Sequence, residues 1–285
     1  FQINAGINLE GRLFITPRAH LIMPYHKILD GLYEAAKGTG ATGTTKRGIG
    51  PTFADKVSYN GIRWSDFADL RIFESRLTVQ IEMKNKIITA LGGEALNFAQ
   101  VRDIYLGYYE EIKPFIRETY PMVLDGLRDG KNFLLEQANG SLLDTDWGTY
   151  PFVTGSTTLA SAATAGLGVP PRAIDSVIGI AKAYTTRVGG GPLPTEIFDD
   201  KYAISVLSEI AATTGRTRRA GWFDSEVTRF AAQVNGVTQI FLTKLDILSA
   251  FDEVKVCTGY ELDGKPVHYY DIDSYQLGRV EPAFR

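Results

Sequence analysis

A segment rich in glycine and threonine, with two basic residues beside them, is the first part of this sequence suited to binding an anion. It spans Gly43–Pro51 and reads GTTKRGIGP. Glycine lets backbone amides turn towards a ligand, and hydroxyl groups beside lysine and arginine complete a concavity that fits a phosphate or carboxylate. The segment does not match the phosphate-loop pattern GxxxxGK[ST]. It indicates either an anion site or a flexible surface loop with solvated charge.

Arginine residues crowd a glycine turn in a second segment, Ala212–Arg219, which reads ATTGRTRR. Planar guanidinium groups suit carboxylates and phosphates because each can donate two parallel charge-assisted hydrogen bonds. A solvated basic patch is the usual alternative for such a cluster. Since the chain has a formal net charge of −3, this local concentration of positive charge favours a specific anion site.

A third segment, Glu136–Thr154, follows the apolar run Asn132–Glu136. Carboxamide, glycine and hydroxyl groups at the carboxyl end of a strand could read the edge of a base and hold a phosphate. The alternative is an ordinary network of turns, with Asp144 and Asp146 capping a helix. Locally, the residues favour the network of turns.

The fourth segment, Thr243–Asp246, comes directly after an apolar run and reads TKLD. It resembles the [NT]KxD element of GTP-binding proteins. In that element the aspartate carboxylate accepts hydrogen bonds from N1–H and the 2-amino group of guanine, and the lysine stem packs over the ring. Adenine presents the wrong donors to a carboxylate, so the resemblance predicts selection of GTP.

Apolar runs that alternate with helical periodicity predict how these segments are positioned. The predicted strands are Arg12–Thr16, Asn132–Glu136, Ser176–Ala183 and Thr238–Thr243, and the predicted helices around them are Leu21–Ala36, interrupted early at Pro24, Ile204–Ala211 and Ser225–Val234. Such alternation is typical of a mostly parallel sheet flanked by helices, whose ligands collect beyond the carboxyl ends of the strands. The fold class is therefore α/β.

Two further regions depart from that alternation. Between Ser65 and Asp129 only helical spacing recurs, broken at Gly92-Gly93, which predicts an all-helical insertion. After Val254 the chain predicts short polar strands around a hairpin turn at Asp263-Gly264. We predict an α/β nucleotide-binding core at 1–64 and 131–253, a helical insertion at 65–130, and the start of a small C-terminal β-rich extension at 254–285.

Composition excludes several classes of function. The chain has 285 residues, 44% of them hydrophobic, and its net charge of −3 offers no global positive field for nucleic acid or anionic lipid. No apolar run approaches the roughly 20 residues that cross a bilayer, and no signal-peptide pattern opens the chain. The single cysteine, Cys257, suits a reducing compartment. We therefore expect a soluble cytoplasmic protein with no nucleic-acid or membrane partner.

Together and in order, these motifs resemble the adenylosuccinate synthetase family. The resemblance covers nearly the whole chain and is weakest in the helical insertion. The segments that carry it are Arg18–His26, Gly43–Lys56, Leu142–Thr154, Lys182–Glu196, Thr213–Trp222 and Leu242–Leu248. It implies a core like that of P-loop NTPases and a GTP-dependent ligation of L-aspartate to IMP through 6-phosphoryl-IMP. It also implies a magnesium ion, GTP as co-substrate and a homodimer.

The resemblance also implies a role for individual residues. IMP would contact Thr44, Thr45, Asn139, Thr154 and Arg216. Aspartate would contact the loop Ala212, Thr213, Thr214, Gly215, Arg216 and Arg218, and GTP would contact Arg218, Lys244, Leu245 and Asp246. The family's catalytic aspartate and histidine and its metal ligands have no counterpart in this sequence, and its C-terminal guanine-pocket element is also missing. We therefore predict no catalytic or metal residue here, and no ligation by the chain alone.

Two positions depart from the family pattern. Asn139 replaces a glutamine that contacts IMP, and Tyr59 replaces an arginine that reaches the phosphate in a neighbouring subunit's site. These departures leave open a related purine nucleotide as substrate. The missing catalytic segments leave open a non-catalytic nucleotide-binding homologue. His20 and His26 flank a helix start, where capping or packing is the expected role.

Overall fold

Packing divides the chain into two units in a computed structural model, which describes residues 6–211 and 215–285. The first unit comprises the chain up to Gly40, Thr44–Leu134 and Leu167–Val169. The second comprises Ala41–Gly43, Leu135–Gly166 and Pro170–Arg285. The three-part division predicted from the sequence, with 65–130 as an insertion, stays a prediction.

The first unit is built from helices around one apolar core. Its helices are α1 (Pro24–Ala36), α2 (Ile49–Val57), α3 (Leu70–Ala90), α4 (Phe98–Ile112) and α5 (Tyr120–Arg128). Leu77, Ile81 and Ile88 are buried on one face of α3, as their helical spacing predicts. The other buried core residues are Leu21, Met23, Tyr25, Leu29, Ile62, Phe67, Phe73, Val101 and Tyr105.

Among residues 6–211 and 215–285, all of the strands lie in the second unit. They are β1 (Ile178–Lys182), β2 (Thr185–Arg187), β3 (Arg219–Gly221), β4 (Phe223–Asp224), β5 (Gln239–Thr243), β6 (Val256–Leu262), β7 (Lys265–Val267) and β8 (Glu281–Phe284). The remaining α-helices are α6 (Ser161–Leu167), α7 (Lys201–Leu207), α8 (Ser225–Asn235), α9 (Leu245–Leu248) and α10 (Ser274–Leu277). Short 3₁₀ helices span Gly38–Gly40, Trp64–Ala68, Lys113–Phe115, Ser141–Leu143, Pro171–Ala173 and Tyr269–Asp271.

Strand pairing confirms the α/β class. β1 and β5 are parallel, with Ile178 opposite Gln239 and Lys182 opposite Thr243, and β4 is parallel to β6. The pairs β2–β3, β6–β7 and β6–β8 are antiparallel. Asp263 and Gly264 both have positive φ, 51° and 75°, between β6 and β7. The hairpin turn predicted there is confirmed, since the type I′ turns that connect hairpin strands require a positive φ at both central residues.

Two of the predicted strands are wrong. Asn132–Glu136 forms no strand, and Leu134 within it is 89% exposed. Arg12–Thr16 contributes only one isolated bridge, between Ile15 and Ile116. Short apolar runs do not specify a strand by themselves, because a strand also needs a partner with which to pair.

Two helix boundaries also differ from the prediction. α1 begins at Pro24 instead of being interrupted there, because proline lacks the N–H that the first helical position leaves unused. The helix predicted at Ile204–Ala211 lies earlier, at Lys201–Leu207. The Asp200 side chain accepts a hydrogen bond from the Ala203 N–H and sets this earlier start. Among the described residues, no helix has the length and apolar character needed to span a bilayer.

Candidate functional site

The glycine–threonine segment connects α1 to α2, and two carboxylates of α1 hold its backbone. Glu34 Oε1 accepts from the Thr44 N–H at 3.1 Å, and Asp30 Oδ2 accepts from the Gly48 N–H at 2.9 Å. Glu34 and Asp30 are one helical turn apart and both are buried. Thr45 and Lys46 between these points are exposed. Side chains of α1 therefore fix the backbone of the loop, and the Thr45 hydroxyl and Lys46 ammonium groups remain towards solvent.

Gly48 makes the close approach of this loop to α1 possible. Its φ is 81°, and a Cβ built there would lie 2.9 Å from the carbonyl carbon of His26 and from the Lys27 nitrogen. Its carbonyl oxygen accepts from the Thr52 hydroxyl at 2.7 Å, one turn into α2. A side chain at this position would be strained and would meet backbone, so the loop requires glycine.

A buried set of polar residues lies where α1, α2 and α3 meet. His26 Nδ1 accepts from the Met23 N–H at 2.9 Å, so Nε2 carries the proton that it donates to Asp55 Oδ2 at 2.8 Å. Lys84 Nζ donates to the other oxygen of Asp55. Burial lowers the pKa of His26. Burial alone would raise the pKa of Asp55, but the hydrogen bonds from His26 and Lys84 outweigh it and lower that pKa. A neutral histidine thus caps α1 beside an ionised Asp55–Lys84 pair.

The arginine segment in the second unit is a closed loop. The Arg218 N–H donates to the Glu209 carbonyl oxygen at 2.8 Å, the Ala211 N–H to that of Arg216 at 2.9 Å, and the Gly215 N–H to that of Ala211 at 2.8 Å. Arg216 Nη1 donates to the Gly43 carbonyl oxygen at 3.0 Å. The predicted residues Ala212, Thr213 and Thr214 lie outside the described residues.

The base of this loop is a cluster of charged groups around the Glu209 carboxylate. Lys182 Nζ lies 2.6 Å from Oε2, and the Tyr184 hydroxyl donates to Oε1 at 2.7 Å. Arg218 Nε lies 3.6 Å from Oε2. Burial alone would raise the pKa of Glu209, but the hydrogen bonds from Lys182 and Tyr184 and nearby positive charge, including that of Lys244, lower it. The carboxylate is therefore ionised at neutral pH.

Lys244, Leu245 and Asp246 follow β5 directly and are exposed. Lys244 has a φ of 65°, which ends the strand and turns the chain into α9. Among residues 6–211 and 215–285, no side chain forms a hydrogen bond or ion pair with Asp246. Because Thr243 lies opposite Lys182 in the parallel pair, both strands end at the same edge, where ligands of α/β sheets collect. The predicted position of this motif at a strand end is confirmed.

The other predicted residues of the second unit lie in the segment Glu136–Thr154. Asn139 is exposed and has a φ of 72°, a conformation that asparagine adopts more readily than most residues. The Thr154 N–H donates to the Leu143 carbonyl oxygen at 2.9 Å. Asp144 is fully buried, and its carboxylate accepts from the backbone of Asp146, Trp147 and Thr158. Asp144 therefore holds turns together, as the network of turns predicts.

The structure thus brings Arg218 into one cluster with Lys182, Tyr184 and Glu209, beside the charges of Lys244 and Asp246. Thr44 and Thr45 belong to the first unit. Sequence reasoning missed Tyr184 and Glu209. A carboxylate three residues before Ala212, ahead of a run of arginines, was the available signal for Glu209.

Comparison with known proteins matches the chain to a family. A family model described as adenylosuccinate synthetase matches residues 2–285. The adenylosuccinate synthetase of Clostridium botulinum (strain Langeland) is 46% identical over 276 residues, which cover 96% of this chain and 64% of the relative. That of Clostridium novyi (strain NT) is 44% identical over 275 residues, with the same coverage. The chain therefore spans less than two thirds of the length of these relatives.

Solved structures agree with the family match. The fully ligated adenylosuccinate synthetase of Plasmodium falciparum superposes with a TM-score of 0.91 at 29% identity, covering 99% of this chain and 68% of that one. The cyanophage S-2L succinoaminodeoxyadenylate synthetase, bound to dGMP and dATP, gives a TM-score of 0.53 at 19% identity and covers 90% and 68% of the two chains. At that identity it supports the fold alone. On the match over residues 2–285, the chain belongs to the adenylosuccinate synthetase family.

Proposed function

We propose that the whole protein containing this chain is a ligase that joins L-aspartate to IMP with GTP, giving adenylosuccinate in purine biosynthesis. The observation that carries the proposal is the family match over residues 2–285, which includes every candidate segment. The identity of 46% to enzymes named adenylosuccinate synthetase supports IMP over another purine nucleotide. A different purine nucleotide remains the second candidate substrate, because Asn139 and Tyr59 differ from the family pattern.

The proposed reaction has two steps. The γ-phosphoryl group of GTP passes to O6 of IMP and leaves GDP. The amino nitrogen of aspartate then attacks C6, inorganic phosphate leaves with the former O6, and the nitrogen loses a proton. Phosphorylation converts a poor leaving group into a good one, so the protein mainly supplies positioning and charge neutralisation.

GTP would be selected at the end of β5. The Asp246 carboxylate would accept from guanine N1–H and the 2-amino group, Leu245 would lie against the base, and the Lys244 stem would cover the ring. The exposure of all three residues at the sheet edge supports this assignment. Arg218, held beside Lys182, would neutralise phosphate charge on the same nucleotide.

IMP and aspartate would be bound by the glycine–threonine segment and the arginine loop. Thr44 and Thr45, with Asn139 and Thr154, would hold IMP. The exposed Thr45 and the amide-rich turn before α2 suit its phosphate, because a helix N-terminus favours negative charge. Arg216 and Arg218, with Ala212–Gly215, would bind the carboxylates of aspartate.

Magnesium is part of the proposal for the whole enzyme, because GTP phosphates are commonly bound with this ion. In the described part of this chain, no three side chains of His, Cys, Asp or Glu converge to hold a metal. We assign no magnesium ligand here and derive no step through the ion.

A homodimer and a cytoplasmic location complete the proposal. Tyr59, at the position where the family resemblance implies contact with a neighbouring subunit, is 89% exposed. Such exposure suits a residue that a partner copy covers. Analytical ultracentrifugation of the full-length gene product should give twice the monomer mass. The single cysteine, Cys257, suits a reducing compartment.

Phosphate release tests the ligase assignment. The full-length gene product is mixed with GTP, IMP, aspartate and magnesium, and each component is omitted in turn. Release that needs all three substrates supports ligation, whereas GTP binding without release favours a non-catalytic nucleotide-binding homologue. Replacing IMP by guanine nucleotides tests the alternative purine, and a clear preference for IMP dismisses it.

A further inference from the structure

Glu209 receives donors from three separate parts of the second unit. Lys182 is the last residue of β1, Tyr184 lies between β1 and β2, and Arg218 precedes β3. Their distances to the Glu209 carboxylate are 2.6, 2.7 and 3.6 Å. Its side chain is only 16% exposed, so the carboxylate lies largely out of water. One partly buried negative charge therefore joins two cations and a hydroxyl at the sheet edge.

The same residue closes the arginine loop through its backbone. The Glu209 carbonyl oxygen accepts from the Arg218 N–H at 2.8 Å, and the isolated bridge between Ile210 and Thr217 continues the pairing. Main chain and side chain of Glu209 thus both act on Arg218. This double contact restricts where the guanidinium group can lie.

The ion pair between Glu209 and Arg218 leaves donor groups of Arg218 available for further hydrogen bonds. Its Nε is buried and, among the described residues, has no hydrogen-bond partner, because Glu209 Oε2 lies beyond hydrogen-bond distance at 3.6 Å. Lys182, by contrast, donates hydrogen bonds to both the Glu209 carboxylate and the Thr186 hydroxyl, at 2.6 and 2.7 Å. The carboxylate orients the arginine through charge without using up the planar fork that binds phosphate.

We propose that Glu209 is a positioning residue that orients Arg218 towards the phosphates of a nucleoside triphosphate. This inference rests on the proposed function, since it takes GTP as the ligand of Arg218. Without the carboxylate, Arg218 and Lys182 would repel each other and the guanidinium group would lose its orientation. Nucleotide binding would then weaken without any change to a group that touches the ligand.

The test is a double-mutant cycle between Glu209→Gln and Arg218→Gln in the full-length protein. Calorimetric titration with GTP gives the Kd of each variant, and thermal unfolding gives its Tm. We expect Glu209→Gln to raise the Kd for GTP about tenfold, because the guanidinium side chain would then have to be ordered when the nucleotide binds. In the Arg218→Gln background the same change should raise it less than twofold. A merely structural role would give equal losses in both backgrounds, and that result overturns the proposal.

A control variant tests whether the effect on GTP binding is specific to Glu209 or follows the loss of another glutamate charge in the second unit. Glu226 of the second unit is buried, and it pairs with Arg229 and His268 instead of with Lys182 and Arg218. Glu226→Gln should leave the Kd for GTP unchanged within twofold, and a tenfold rise would count against a specific role of Glu209. Because GTP binding is measured without turnover, this test of Glu209 gives a result even if the protein does not ligate aspartate.

Discussion

Asp246 lies exposed after β5, and its carboxylate is the group proposed to select guanine. Asp246→Asn should raise the KM for GTP by about 10- to 100-fold, since a hydrogen bond to a charged group contributes about 1.5–3 kcal/mol. The KM for xanthosine triphosphate should rise less, because its 2-oxo group can accept a hydrogen bond from the new amide. KM values for both nucleotides in the full-length protein measure this. Asp252→Asn, at an exposed residue after α9, is the control. An unchanged KM for GTP in Asp246→Asn would exclude recognition of guanine by Asp246.

Gly48 and Gly50 provide a matched pair within the glycine–threonine segment. Gly48 has a φ of 81°, and a Cβ added to it would lie 2.9 Å from backbone atoms, whereas a Cβ added to Gly50 would have nothing within 4 Å. Gly48→Ala should lower the free energy of unfolding by about 2 kcal/mol or more, from strain and displaced backbone. Gly50→Ala, near the start of α2, should leave it unchanged or raise it by up to about 1 kcal/mol. Urea unfolding of both variants measures the difference, and equal effects would contradict the proposed close contact.

Single residues of the candidate site differ in how far the sequence could predict them. Lys244 and Asp246 were predictable, because an apolar run followed by a polar motif implies a strand end, and that position is confirmed. Glu209 was not, because its role depends on a loop that returns the chain to it at Arg218. Asn139 was predicted as a departure from the family, and its φ of 72° supplies a physical reason for asparagine there.

At the scale of elements, periodicity predicted long helices better than short strands. α3 and α4 are confirmed: six buried residues recur along α3, and Val101 and Tyr105, one turn apart, are buried on α4. Asn132–Glu136 has an apolar run as strong as that of β5, yet only β5 finds a pairing partner, β1. A run of five residues carries no information about that partner, so propensity alone could not separate the two cases.

The ion pair between Asp55 of α2 and Lys84 of α3 should stabilise the packing of these helices only while both charges remain. Asp55→Asn leaves the ammonium group buried and should lower the free energy of unfolding by about 3 kcal/mol. The double variant Asp55→Asn with Lys84→Met removes both charges and should regain much of this loss. Urea unfolding of the single and double variants gives the coupling energy. Purely additive losses would show that the pair contributes no specific interaction.

His26, at the start of α1, should make stability depend on pH. Burial lowers its pKa from the ordinary value of 6.5, so below that pH the unfolded chain binds a proton that the folded chain does not. The free energy of unfolding therefore falls as the pH drops below 6.5, by up to about 1.4 kcal/mol per pH unit for this group. The lowered pKa of Asp55 acts with the same sign at lower pH. In His26→Gln the slope between pH 6.5 and 5 should be smaller, and an unchanged slope would mean that His26 does not titrate as proposed.

At the scale of the whole chain, the parallel pair β1–β5 leaves apolar side chains in contact with water. Those at least 43% exposed on the two strands are Ile178, Ile180, Ile240, Phe241 and Leu242, with Ile180 at 70% and Phe241 at 58%. Among the described residues, β1 and β5 pair only with each other, so each strand also presents an open edge. Exposed apolar strands with free edges pair readily with other chains.

The 285-residue chain should therefore self-associate through these two strands when prepared alone. Lysine at Ile180 and Phe241 places charge at the two most exposed apolar positions and should shift the sedimentation profile towards the monomer. Lysine at Val57 and Tyr275, which are exposed elsewhere, should not, because these residues lie on no open strand edge. Sedimentation velocity over a concentration series compares the three proteins. If all three sediment alike, the β1–β5 pair does not drive association, because charge at its centre must oppose any contact that buries it.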